Sequence, residues 1–234
     1  MMMEFTNSKS RPLSHRALLV VDMQNDFLPG GALAVPDGHA ILAPLRTLME
    51  SGGFQLIVAT QDWHPRGHIS FASSHPGHQP MDTIHLYHHE QTLWPDHCVQ
   101  GTEGARLHAD LPWNKAAAII RKATDPEVDS YSALRNNWNP RGRRPPTGLS
   151  GYFKNHGVRE VFICGLARDY CVRWSAEDAV RDGLRVTVIW DLCRSINSVD
   201  DERLRRRFIR GGVKIIDSAN RRALMASSPD DGLS

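Results

Sequence analysis

Cysteine and net charge are both scarce in this 234-residue chain. Its four cysteines, Cys98, Cys164, Cys171 and Cys193, form no CxxC pair and are too scattered for a disulfide framework. That excludes a small stapled scaffold and fits a reducing compartment in which a thiol stays free for chemistry. Lysine and arginine together number 28 against 26 for aspartate and glutamate, so bulk charge singles out neither nucleic acid nor an acidic partner. No run of about 18 apolar residues occurs, which excludes a membrane-spanning helix. The polar start MMMEFTNSKSRPLSHR has no apolar stretch of the kind a secretion signal needs, and a cytoplasmic protein is expected. Repeats and low-complexity tracts are missing too.

What is present suits one large domain. With 41% hydrophobic residues the chain can bury a continuous core, expected over 16–226, with 1–15 and 227–234 as disordered ends. Short aliphatic or β-branched runs recur at 17–21, 55–60, 116–121, 160–165, 185–190 and 213–216. Helix-like stretches at 38–51, 147–156, 170–182 and 199–210 separate most of them. This alternation predicts a doubly wound α/β fold, a six-stranded parallel sheet with helices on both faces. Two segments interrupt it: 61–111, rich in His, Pro and Trp, and the basic 124–146. Long connections of this kind more often carry function than idle loop. The arginines of Arg141–Arg144 and of 202–210 read as a solvated loop and a polar helix face, because no aromatic platform for bases is interleaved with them.

Parallel sheets bind ligands beyond the carboxyl ends of their strands, so the residues just after each strand deserve attention. Asp22 follows the first strand, Lys122 the third, and Cys171 lies in the turn GLARDYC that follows the fourth and opens a helix. A thiol, a carboxylate and an amine on one rim supply a nucleophile, a base and a fixed cation for acyl transfer. A cysteine at a helix start is expected to have a lowered pKa. Cys164 and Cys193 read instead as small buried residues. After the second strand, Asp62 and His64 are two residues apart and share a side in extended chain; with His97 from WPDHC, and His68 as an optional fourth, they make an open ligand set for a divalent ion. Phe27, Trp63 and Trp94 stand beside these ligands.

Five separated stretches, VDMQNDFLPGGALAV, ATQDWHPRGHISF, LWPDHCVQGTEGARLH, IRKATDPEVDSYSAL and GLARDYCVRWSAEDAV, together resemble the successive motifs of the nicotinamidases, within the isochorismatase-like hydrolases, over about residues 17 to 216. The resemblance implies the strand order 3-2-1-4-5-6 and a catalytic triad of Asp22, Lys122 and Cys171. It implies an oxyanion hole from the N–H groups of Ala167 and Cys171 after a cis Leu166–Ala167 peptide, and ring-pocket walls from Phe27 and Trp94. The metal ligands it implies are Asp62, His64 and His97, with His68 ligating only in some members. The ion is zinc first, with iron or manganese as alternatives. The activity implied is hydrolysis of nicotinamide to nicotinate and ammonia in NAD salvage, through a cysteine thioester, with pyrazinamide as a further substrate; the alternative is another small amide or carbamoyl compound. Partners are then a small-molecule substrate and a homo-oligomer, with no nucleic acid and no membrane. Arg168 stands where many relatives have Thr, which bears on the pocket beside the oxyanion hole, and the longer basic insert around Arg141–Arg144 could reach oligomer contacts or the pocket mouth.

Overall fold

A computed structural model describes residues 15–51 and 53–220. Its main sheet has six strands, all parallel, in the order β5-β2-β1-β6-β7-β8. These are β1 (Arg16–Val21), β2 (Leu56–Asp62), β5 (Ala118–Lys122), β6 (Glu160–Leu166), β7 (Arg185–Arg194) and β8 (Lys214–Ile216). Counted within this sheet, the order is the expected 3-2-1-4-5-6. The helices α1 (Leu42–Glu50), α2 (Leu149–Asn155), α3 (Arg173–Arg181) and α4 (Asp201–Arg210) fall inside the four predicted stretches. Not foreseen was an antiparallel hairpin, β3 (Thr83–Leu86) with β4 (His89–Thr92), in the histidine-rich connection. Its strands carry His, Glu, Gln and Thr rather than an apolar alternation, so periodicity does not reveal it.

The central strands are apolar because both of their faces are covered. Every residue of β1 is buried, including Arg16, whose guanidinium meets Glu160 at 2.7 Å. At about 25 cal/mol per Å² of apolar surface removed from water, such strands dominate the favourable side of folding. Strand β5 is an edge, and its burial alternates, with Ile119 46% exposed. The order reverses between β1 and β6, which opens a crevice at their carboxyl ends. Gly165 keeps those ends together: its φ is +113°, and a Cβ there would lie 2.1 Å from the carbonyl oxygen of Val21. Any side chain would push β6 and the turn after it away from Asp22.

The basic connection corrects one expectation. Arg141 and Arg143 are exposed as expected, but Arg144 is not a solvated loop residue. Its guanidinium makes two bonds of 2.9 and 2.8 Å to the buried carboxylate of Asp178 on α3 and lies over the rings of Trp138 and Trp174. A planar fork matches a carboxylate and stacks on aromatics, so burial is tolerated here. The expected disordered ends lie outside the described residues except for His15, whose Nδ1 donates to the Gly157 carbonyl at 2.8 Å. Among the described residues, no helix is long and apolar enough to cross a membrane.

Arg144→Ala leaves Asp178 buried with its bidentate partner gone, and should cost about 3 kcal/mol in chemical denaturation. Arg144→Lys should recover only part of that loss, because an ammonium cannot reproduce the fork.

Candidate active site

At the crevice the three strand ends converge on one ammonium group. Lys122, the last residue of β5, has its Nζ 3.0 Å from Asp22 Oδ2, 2.9 Å from the Ser130 carbonyl and 3.5 Å from Cys171 Sγ, and it also pairs with Asp62. All four side chains are buried. Asp22 sits just past β1 at a left-handed φ of 45°, with its other oxygen accepting from Thr60 Oγ1 at 2.6 Å. Burial opposes the charge on Lys122, but Asp22 and Asp62 outweigh it and hold the amine well above its ordinary pKa. It is a permanent cation.

Cys171 lies in a π-helical turn, Arg168–Val172, that leads directly into α3. A helix-start pKa lowering is not what this site produces. Burial pushes the thiol well above its ordinary value, with Lys122 pulling it down and the two carboxylates pushing it further up. The sulfur therefore rests as a thiol, and a base must take its proton for attack. The Leu166–Ala167 peptide is cis, and Ala167 and Cys171 face the same cavity.

That cavity is narrow, about 320 Å³ counting its open mouth. Phe27 and Trp94 line it, with Asp62, His64 and His97. Tyr131, Tyr170, Leu33, Ile196 and Asp129 complete the wall. Of the aromatics named from the sequence, Trp63 lies elsewhere, under the guanidinium of Arg121 at 4.0 Å. Arg168 also turns away from the cavity, toward Trp190, so its effect on the pocket is not direct contact. Sequence reasoning did not single out the five completing residues. Leu33, Asp129, Tyr131 and Tyr170 stand inside quoted motifs, and Ile196 follows a strand end as ligand-facing residues do.

The second cluster adjoins the first through Asp62. Ligand atoms of Asp62, His64 and His97 lie within 4.8 Å of one another. His97 Nδ1 donates to the Pro95 carbonyl at 2.8 Å, which leaves the lone pair on Nε2, 3.9 Å from Asp62 Oδ2. Both ring nitrogens of His64 are buried without a hydrogen-bond partner. Such orphaned nitrogens beside a carboxylate fit a divalent cation. His68 has its Nδ1 2.8 Å from Ser70 Oγ and 3.2 Å from Ser70 N, while its Nε2, like the ring nitrogens of His64, is buried without a hydrogen-bond partner, and it groups with His64 and Asp129 as a further set of possible ligands. Its ring centre is 4.6 Å from that of His64. Asp129 faces His64 Nε2 at 3.7 Å and is fixed by bonds from Gln91 Nε2 and Ser130 N, both 2.7 Å.

An isochorismatase domain matches residues 16–220, nearly the whole described chain. The chain belongs to the isochorismatase family. Within this family, the nicotinamidase of Acinetobacter baylyi is 46% identical over 205 residues, covering 87% of the chain and 93% of the relative. Among solved structures, the Acinetobacter baumanii nicotinamidase pyrazinamidease superposes with a TM-score of 0.83 at 44% identity, covering 88% of this chain and 98% of that one. The Pyrococcus horikoshii pyrazinamidase in complex with zinc gives a TM-score of 0.70 at 38% identity, covering 87% and 99%. That isochorismatase-family relative holds a metal ion, and the present chain has a donor set able to hold one.

The buried histidines set a pH response. Burial lowers His68 from 6.5 to about 4 and His97 well below 6.5. Their stabilising effect is full above 6.5 and is lost as pH falls, because only the unfolded chain takes up the protons. Asp62, raised by burial to about 6, works the other way, its contribution falling as pH rises from 3.8 through 6. His89 is lowered and Asp169 raised in the same way, so three histidines stand against two aspartates and decide the sign: in chelator, melting temperature should fall from pH 7 to pH 5. His68→Gln should remove roughly 3 kcal/mol of that dependence across the full window.

Proposed function

We propose that this chain is a nicotinamidase, hydrolysing nicotinamide to nicotinate and ammonia in NAD salvage, with Cys171 as nucleophile. The observation that carries the reading is the meeting of Asp22 and Lys122 with Cys171, which lines a small aromatic-walled cavity. The high identity to nicotinamidases over nearly their full length supports it.

The chain's own groups divide the work. Phe27 and Trp94 hold the flat ring, and Tyr131 and Tyr170 extend the same wall. Held there, the carboxamide carbon stands over Cys171 Sγ. Asp22 takes the thiol proton as sulfur attacks, since burial keeps the resting sulfur protonated. The oxyanion is received by the N–H groups of Ala167 and Cys171. Asp22 then returns the proton to the departing nitrogen, ammonia leaves, and a thioester remains. A water, deprotonated by Asp22, hydrolyses the thioester and restores the thiol. Lys122 keeps its charge throughout and stabilises whichever neighbour is anionic.

Asp62, His64 and His97 would hold the metal ion, with His68 as an optional fourth ligand and Asp129 facing His64. Zinc suits this carboxylate and imidazole set best, with iron or manganese as alternatives. When bound, the ion supplies a Lewis-acid anchor for the ring nitrogen. The substrate is a small molecule, pyrazinamide fitting the same walls, and the compartment we favour is the cytoplasm.

Cys171→Ala should abolish ammonia release from nicotinamide, a drop of at least about 10³-fold, while retaining bound metal. Activity surviving in that variant would point instead to a water-activating metal hydrolase. Chelation should cause a substantial loss that added zinc reverses; unchanged turnover in metal-free protein would remove the ring-anchoring role.

A further inference from the structure

Two residues of the turn between Ala167 and Tyr170 have no part in the chemistry above, yet both reach the same neighbouring segment. Arg168 is only 5% exposed, and its guanidinium lies 3.9 Å over the ring of Trp190. Its Nη2 donates to the Trp190 carbonyl at 3.1 Å and also to the Cys193 carbonyl, and its Nη1 pairs with Asp201 Oδ2 at 2.5 Å. The other oxygen of Asp201 accepts from Ser195 Oγ at 2.5 Å. Asp169 grips the same stretch from its backbone, accepting from Ile196 N at 3.0 Å and Asn197 N at 2.9 Å. Between these two grips stands Ile196, which lines the cavity beside Ala167, Tyr170 and Cys171.

Burying a guanidinium is expensive, and here a carboxylate, two carbonyls and a ring face offset the cost at Nη1, Nη2 and the ring plane, while Nε is left without a hydrogen-bond partner. That arrangement ties the end of β7 and the start of α4 to the turn that carries the nucleophile. Displacing a wall by even 1 Å misplaces the reacting atoms, with a cost on the order of 10²-fold in rate.

We propose that Arg168 is a positioning residue for amide hydrolysis: through Trp190, Cys193 and Asp201 it fixes the 194–201 segment, so that Ile196 closes the cavity against the substrate ring. This deepens the nicotinamidase reading and rests on it. Arg168 touches no reacting atom. It sets the width of the slot in which the ring lies, and hence which rings are excluded.

Arg168→Lys, Asp201→Asn and Ile196→Ala would be compared with the wild type on nicotinamide and on a ring-methylated nicotinamide. Arg168→Lys and Asp201→Asn should lower kcat/KM for nicotinamide roughly 10- to 100-fold, by lowering kcat as well as raising KM. They should also narrow the discrimination against the methylated ring, as Ile196→Ala does. Combining Arg168→Lys with Ile196→Ala should cost less than the two separate losses multiplied, because both act on one wall. Asp201→Asn keeps the shape of a partly exposed side chain, so it reads the grip even if Arg168→Lys folds poorly. Folded variants with wild-type KM and discrimination would overturn the proposal, as would a loss confined to melting temperature. Hydrogen exchange across 194–201 reads the same grip without substrate: it should quicken in both variants, and unchanged exchange also overturns the proposal. A wild type that releases no ammonia from nicotinamide, yet shows the quickened exchange in its variants, would fail the nicotinamidase reading alone.

Discussion

One ammonium group holds the centre of this molecule together. Lys122 Nζ lies between the carboxylates of Asp22 and Asp62, with the Ser130 carbonyl and the Cys171 sulfur completing its surroundings, and none of the four charged or nucleophilic side chains is open to bulk water. Two buried carboxylates with no cation between them would each face several kcal/mol of desolvation and repel one another. The lysine removes that conflict and brings the ends of β1, β2 and β5 to one point. It also joins the two halves of the site, because Asp22 belongs to the thiol and Asp62 to the histidine cluster.

This placement explains why the sulfur is not a ready-made thiolate. A cation 3.5 Å away lowers the cost of ionising Cys171, but burial and two nearby negative charges raise it more. A buried thiolate would be reactive toward any electrophile entering the cavity. A thiol that must first give up its proton is reactive only when a carbonyl is seated to receive the sulfur. The low polarity that suppresses ionisation at rest also strengthens each hydrogen bond offered to an oxyanion later.

Much of the architecture was legible because it rests on local rules. The inner aliphatic runs, β1, β2, β6 and β7, are largely buried on both faces, the edge runs β5 and β8 only in part, and four punctuated helices fall between them. Residues directly following strand ends, Asp22, Lys122 and the turn to Cys171, could be singled out because a doubly wound sheet directs them to one crevice. Tertiary chemistry was harder to read. The β3–β4 hairpin has no apolar period, and its Gln91 matters only by reaching Asp129 and Tyr131 across the chain. Arg144 looked like one more exposed arginine until Asp178, Trp138 and Trp174 closed around it. The thiol's protonation state was misjudged from the helix start alone, because the larger effect, burial, is a property of the folded molecule.

The fold also makes the site depend on segments remote in sequence. Cys98 N–H donates to Asp26 at 2.7 Å, and Gly104 stands so close to that carboxylate that a Cβ would lie 2.2 Å from its oxygens. Asp26 thereby pins the loop that carries His97 to the one that carries Phe27. Gln24 does the same for Asp62, donating to its carbonyl at 2.8 Å and accepting from its N–H at 2.7 Å. A cavity walled by loops would ordinarily yield to its contents, since loops are the mobile parts of a domain. Here buried side chains brace loop backbones from below, so the slot is set before any ring enters it, and binding energy need not be spent on ordering the walls.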